Sequence, residues 1–439
     1  MQVTATVRTH AGGEGPRVET REFSALASGL ALLVQWLLGL RVSGAVMEAT
    51  GVYWEKVYDI LSDAGLDVMV VNAQHVKQIK GRKTDIADSV WLSRICQFGL
   101  GSPSLILPKD FRDLRGLSRY RRTLIEQRAR TQLRIQKVLD RGGVRIGGIL
   151  SRITHGVNGR RILEGIIAGE ACEDILGGLS WHVRKKLDLL GDALSVELDA
   201  HGRWILGDLL ARFDSDTARI EATDRRMEAA LAPYEAKVRL LETLPGVSRE
   251  SAMAILVELG PDMSVFASAR HCAAWTGICP GNNESAGKRR SGRIRRGNPV
   301  LRAILVECAH AAVRTRGCQF HTYHQAVKSR RGYKRAIVAV AHKMLRTIHA
   351  MLRDGTPYAD PGIDYEGISI GRKASRWLQK LEQYGYVTRL AREEQPDMSA
   401  QNRPRPGVAR NRFRPITRPF PGSPNKLLPT ATERRRLPD

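Results

Sequence analysis

The hydrophobic period of this 439-residue chain changes once, near residue 107. Before that point, β-rich runs at 3–9, 17–23, 42–47 and 66–72 alternate with helical runs at 26–40 and 53–64. Beyond it, apolar residues recur every three or four positions, the helical period. Strands alternating with helices call for an α/β unit: the Gly-rich connection at 10–15 predicts a hairpin, and the later runs predict a parallel portion of sheet beside it. Everything after that is expected to be helical.

Within the helical part, residues 111–140 interleave Leu114, Leu117, Leu124, Leu133 and Val138 with Arg115, Arg119, Arg121, Arg122, Arg128, Arg130, Arg134 and Lys137. A Gly-rich stretch follows, then helical segments near 160–169, 180–190 and 194–231. The last alternates Asp214, Asp216, Arg219, Glu221, Asp224, Arg225 and Arg226, a pattern of a solvated long helix or of one arm of an antiparallel coiled coil. Residues 239–352 make a third unit, helical at both ends around a basic Gly-rich loop. From 401 to 439 there are ten Arg or Lys against two acids and eight prolines, too polar to fold alone. The expected organisation is an α/β domain over 1–106, a basic helical or coiled-coil linker over 107–238, a helical domain over 239–365, a terminal helical segment over 366–400 and a disordered tail.

A formal charge of +25 makes a polyanion the expected partner, because each phosphate neutralised releases condensed counterions. The longest apolar stretch, 26–40, is broken by Ser28 and Gln35 and is too short to cross a bilayer. No basic start with an apolar run and a cleavage site occurs, so a cytoplasmic location and no membrane partner are expected. The six cysteines never take a C-x-x-C spacing, which argues against zinc or disulfides and for small buried residues.

Four motifs carry candidate chemistry. Glu48 ends a predicted strand just before Gly51 and a helix, where α/β sheets present side chains to ligands. Asp85 and Asp88, three apart at the start of a helix, share one face; a divalent ion would relieve their repulsion, and Thr84 or Asp85 capping the helix is the structural alternative. Residues 241–260 read as two helices about a Pro-Gly turn, either a helix-hairpin-helix whose amides meet phosphate or a plain αα-hairpin. Finally, Lys288, Arg289, Arg290, Arg293, Arg295 and Arg296 fill six of the nine positions 288–296, shortly after Ser285, whose hydroxyl is either a nucleophile or a phosphate ligand. His310, His321, His324, His342 and His349 have no metal-ligand spacing.

These residues resemble a known family, the bacterial insertion-sequence transposases of family one-ten. The likeness rests on M-E-A-T-G-V-Y-W at 47–54, G-R-K-T-D-I-A-D at 81–88, L-R-G-L-S-R-Y-R-R at 114–122, the L-P-G-V turn, W-T-G-I-C-P-G-N-N-E-S-A-G-K-R at 275–289 and R-R-G-Y-K-R-A at 330–336. The resemblance implies an RNase H-like (RuvC-like) N-terminal domain with four acids in the order D-E-D-D, a coiled-coil linker, and a helical C-terminal domain with a nucleophilic serine. By position, Glu48 corresponds to the E, Asp85 and Asp88 to the later Ds, and Ser285 to the nucleophile. It further implies Mg²⁺ on the acids, a structured guide RNA that pairs with element-end and target DNA, and a homodimer or homotetramer. Arg115, Arg119, Arg121 and Arg122, with the cations at 288–296, are then the expected nucleic-acid contacts.

One departure stands out: no Asp precedes Asp59, so the family's first acid and the central strand that carries it have no counterpart here. The expectation is a misassigned start or a truncated gene, with open ladder edges where that strand belongs. The leading reading is a Mg²⁺-dependent serine recombinase guided by RNA. The alternatives are an inactive nucleic-acid-binding remnant and a junction-resolving nuclease that uses the acids alone.

Overall fold

The computed structural model describes residues 2–9, 17–49, 51–72, 84–101, 103–281, 283–285, 288–291 and 293–384. The expected tail at 401–439, the segment 385–400 and residues 81–83 of the Asp motif lie outside them. Two compact units result, 1–369 and 370–439. The described part of the second is the end of helix Tyr365–Gln383, with Trp377, Leu378 and Leu381 exposed.

In the N-terminal region, β1 (Gln2–Thr9) and β2 (Arg17–Ser24) form the predicted antiparallel hairpin, Gln2 opposite Ser24. Strands β3 (Gly44–Glu48) and β4 (Asp67–Val71) run parallel, Glu48 opposite Val71. Helix Ala27–Gly39 buries Leu30, Leu33, Trp36 and Leu37, at the three-to-four spacing that makes one face apolar. Helix Asp85–Phe98 packs on both β1 and β3. The two pairs are separate sheets: among the described residues β1 pairs only with β2, and β3 only with β4. Residues 3–9 of β1 and 44–48 of β3 line one cleft of about 680 Å³.

Beyond it, helices Lys109–Arg141 and Ala200–Leu231 pack as a long antiparallel pair. Phe111 meets Tyr234, Arg121 meets Asp224 and Arg128 meets Thr217, so the partner's numbers fall as the first helix rises. Buried Leu206, Leu209, Phe213, Asp216, Ile220, Thr223 and Met227 repeat three-four, the seam of a coiled coil. The second helix starts at Ala200 rather than near 194, because Asp199 caps it, its side chain accepting from the Gly202 amide at 2.6 Å. At one end the pair enters a core with Ile162, Leu163 and Leu190; at the other, Phe111, Leu114, Met227 and Leu231 join the C-terminal core.

That C-terminal core is built around helix Tyr333–Asp354, which buries Ile337, Val340, Ala341, Met344, Leu345 and Ile348. Helices Glu235–Glu242 and Arg249–Leu259 flank the Pro-Gly turn. Gly246 there has φ +84°, and a Cβ would lie 2.5 Å from the Ala312 amide nitrogen and the Cys308 carbonyl oxygen. The turn is therefore pressed against helix Pro299–Ala312, and the packing favours the plain αα-hairpin. Cys272, Cys308 and Cys318 are buried as expected, burial pushing the Cys272 thiol up to about 12, whereas Cys96 is exposed. No described helix is long and apolar enough to cross a membrane.

Candidate functional site

The carboxylates come from neighbouring elements of the N-terminal region. Glu48 closes β3, lines the cleft between β1 and β3, and its strand end is fixed by the Ala49 amide donating to the Val71 carbonyl at 3.0 Å. Asp85 and Asp88 occupy the first turn of helix Asp85–Phe98, capped by Thr84, whose hydroxyl accepts from the Ala87 amide at 3.3 Å. Both acids lie in the first turn, at the positive end of the helix dipole. The next residue, buried Ser89, donates to Thr6 on β1 at 2.9 Å and pins this turn to the hairpin. Among the described residues no three His, Cys, Asp or Glu converge as a metal site. Glu48 on β3, and Asp85 and Asp88 on the helix packed against that strand, are carboxylate donors on adjoining elements.

Asp59, the first aspartate of the chain, pairs with Arg112 and ties helix Tyr53–Asp63 to the basic helix. The four arginines singled out on that helix are likewise engaged within the chain. Arg121 pairs with Asp224, and Arg122 with Glu126 at 3.2 Å. Arg115 and Arg119 converge on Glu258, which is fully buried: Arg119 donates through Nε to Oε1 at 3.0 Å and through Nη2 to Oε2 at 3.2 Å, while Arg115 donates to the Glu258 carbonyl at 2.8 Å. Burial pushes the Arg115 guanidinium down from its usual value and Glu258 opposes that shift.

The same carboxylate accepts from Asn298 Nδ2 at 2.5 Å. Asn298 Oδ1 in turn caps helix Pro299–Ala312, accepting from the Val300 and Leu301 amides at 3.1 Å each. Sequence reasoning missed Glu258 and Asn298. The available signals were a lone carboxylate in the apolar run 252–259, and Asn followed by Pro, the residues favoured at an N-cap and first helical position.

Residues 279–295, read from sequence as a loop, contain a β-hairpin. Strand β5 (Asn283–Ser285) pairs with β6 (Lys288–Ser291), Ser285 opposite Lys288, so Arg289 and Arg290 lie on β6. The ladder extends downward, with the Gly281 amide donating to the Arg293 carbonyl at 2.9 Å and the Arg295 amide to Cys279 at 3.2 Å. Its root is a crossing of two glycines: a Cβ on Gly297 would sit 2.4 Å from the Gly277 nitrogen and 2.5 Å from the Trp275 carbonyl oxygen. Only residues without a side chain let these backbones approach so closely.

Arg293, Arg295 and Arg296 emerge exposed from this root and form one wall of a cleft of about 1500 Å³. A cationic cleft at the root of a hairpin is an arrangement that can gather phosphodiesters.

Two family models match the chain in order. A transposase model of DEDD enzymes of IS110 elements covers residues 8–143, and one described as "Transposase IS116/IS110/IS902 family" covers residues 238–325. The putative transposase y4pF/y4sB of Sinorhizobium fredii is 33% identical over 145 residues, which are 32% of this chain and 37% of that protein. The transposase for insertion sequence element IS1111A of Coxiella burnetii is 25% identical over 331 residues, 73% of this chain and 80% of the relative. The transposase for IS1328 of Yersinia enterocolitica is 29% identical over 145 residues, 32% and 43% of the two. The chain thus spans 37% of the first relative and most of the second. Matched at both its α/β and its helical ends, and along most of its length by one such enzyme, the chain belongs to the IS110 family of insertion-sequence transposases.

Proposed function

We propose that the protein is a DNA recombinase that moves its insertion sequence through a transient phosphoserine link at Ser285. The observation that carries this reading is the β-hairpin bearing Ser285, whose root opens into a cleft walled by arginine and lysine. A serine hydroxyl is a weak nucleophile, and a cationic surround helps it twice, by gathering the phosphodiester and by stabilising the charge that builds on its oxygens. In the step, Ser285 Oγ loses its proton and forms a bond to phosphorus while a bond from phosphorus to a strand oxygen breaks. The released hydroxyl takes a proton, and the phosphodiester count is conserved, so the joint can be reversed onto a new strand without an energy donor.

Glu48, Asp85 and Asp88 are the donors this chain would offer to Mg²⁺, which supplies Lewis-acid polarisation of phosphoryl oxygens when bound. Strand choice is delegated to a structured guide RNA encoded by the element, and two or four copies of the chain assemble on element-end and target DNA. The test is an SDS-resistant protein–DNA adduct on labelled element-end DNA with guide RNA. It is expected with the unaltered protein and absent in Ser285→Ala; an adduct that survives that substitution removes Ser285 from the role. Chelation with EDTA is expected to abolish the adduct, and persistence in EDTA removes the metal from the reading.

A further inference from the structure

The motif R-R-G-Y-K-R-A at 330–336 has no role in the reaction just described. In the fold, Arg331 ends helix Gln319–Arg331, and Lys334 and Arg335 sit in the first turn of helix Tyr333–Asp354. They form the wall of the 1500 Å³ cleft that faces Arg293, Arg295, Arg296 and Arg302. Seven cations thus line one cleft and no carboxylate lines it. Apart from Arg293, none of them makes an ion pair among the described residues.

The placement also runs against the fold's own electrostatics. Lys334 and Arg335 lie at the positive end of a 22-residue helix whose first turn holds no acid. The helix dipole disfavours cations there, so packing alone gives no reason for them. A polyanion does.

Between the cationic walls the floor is apolar, made by Ile278, Ile294, Val338 and the Tyr323 ring. Ile294 is 37% exposed there. A duplex keeps its bases stacked inside and shows the protein phosphates and groove edges, so it gains nothing from such a floor. An unpaired strand has both kinds of surface, phosphates for the walls and base faces for the floor. We propose that this cleft seats an unpaired stretch of DNA strand, with its backbone between the 293–302 and 331–335 walls and its bases on the apolar floor, delivering the strand to the Ser285 hairpin. That the strand is DNA rests on the recombinase reading; that it is unpaired rests on the cleft.

The experiment uses the full-length protein and fluorescence anisotropy with a 20-nucleotide oligo-dT, a duplex of equal length and an oligo-rU, from 50 to 200 mM salt. The expected result is at least tenfold tighter binding of oligo-dT than of duplex or oligo-rU. The double variant Lys334→Ala/Arg335→Ala, altering two exposed side chains, is expected to weaken oligo-dT at least tenfold. It should also flatten the slope of log affinity against log salt by about 1.4, about 0.7 per phosphate contact on a single strand. Ile294→Ser is expected to weaken the strand several-fold and leave the duplex unchanged.

Equal affinity for duplex and strand, or an unchanged salt slope in the double variant, overturns the proposal; tighter binding of oligo-rU overturns the assignment to DNA. The adduct assay run on the same preparations separates the two readings. Strand preference without any adduct from the unaltered protein supports the cleft and refutes the serine chemistry, whereas an adduct without strand preference does the reverse.

Discussion

Helix Lys109–Arg141 and the cleft at 293–335 are both dense in arginine, yet their cations meet different surroundings. On the helix, Arg112 finds Asp59, Arg115 and Arg119 find Glu258, Arg121 finds Asp224 and Arg122 finds Glu126. In the cleft, seven cations face one another with no lining acid. In the first region these five arginines are tied to carboxylates of the chain; in the second, Arg295, Arg296, Arg302, Arg331, Lys334 and Arg335 make no ion pair among the described residues. A count of basic residues cannot separate these uses. The partner of each cation can.

The largest effect that bears on this contrast is expected at Glu258. Glu258→Ala leaves Arg115 buried without its counter-charge and should destabilise the protein by about 3–5 kcal/mol in urea unfolding. Unchanged stability would mean that the helix arginines are not structural. Next comes Gly297→Ala, which drives a methyl into two backbone atoms at the hairpin root and is expected to cost about 1–3 kcal/mol, while an equal substitution at exposed Arg335 costs almost nothing.

A smaller, pH-dependent term comes from His349, buried against Phe266 with both ring nitrogens unpartnered among the described residues. Burial, with Arg353 adding to it, lowers its pKa below 6.5, so the unfolded chain takes up the proton first. The contribution of His349 to stability is complete above pH 6.5 and is lost as pH falls from there toward the folded-state value. Unfolding midpoints measured from pH 7.5 to 5 should fall for the natural protein and fall less for His349→Leu. Smallest is Arg122→Ala, an exposed i,i+4 pair worth less than about 0.5 kcal/mol. If it lowers the salt slope of DNA binding as the Lys334→Ala/Arg335→Ala variant is expected to, the helix too contacts phosphate and the contrast weakens.

Periodic features were legible from sequence. The hairpin at 2–24, the parallel pair ending at Glu48, the cap at Thr84 and the two long helices all follow from short-range patterns of apolar spacing and capping residues. The hairpin under Ser285 was not, because its strands contain Lys, Arg, Asn and Ser rather than β-branched residues, and its geometry depends on a contact between Gly277 and Gly297 twenty positions apart. The intramolecular use of Arg115 and Arg119 was hidden for the same reason: their partner Glu258 lies some 140 residues away. The opposing wall at 331–335 was visible as a basic string, and only the fold brings it across from 293–302.

Glu258 gives the long helical pair a fulcrum. The carboxylate grips the helix at Arg115 and Arg119, and Arg141 at the far end lies 22 residues beyond, roughly 33 Å at the helical rise. Its remaining bond is to Asn298, which anchors the chain just beyond the Ser285 hairpin. Whatever displaces the far end of that arm therefore works a lever whose short side ends at Asn298, the cap of helix Pro299–Ala312.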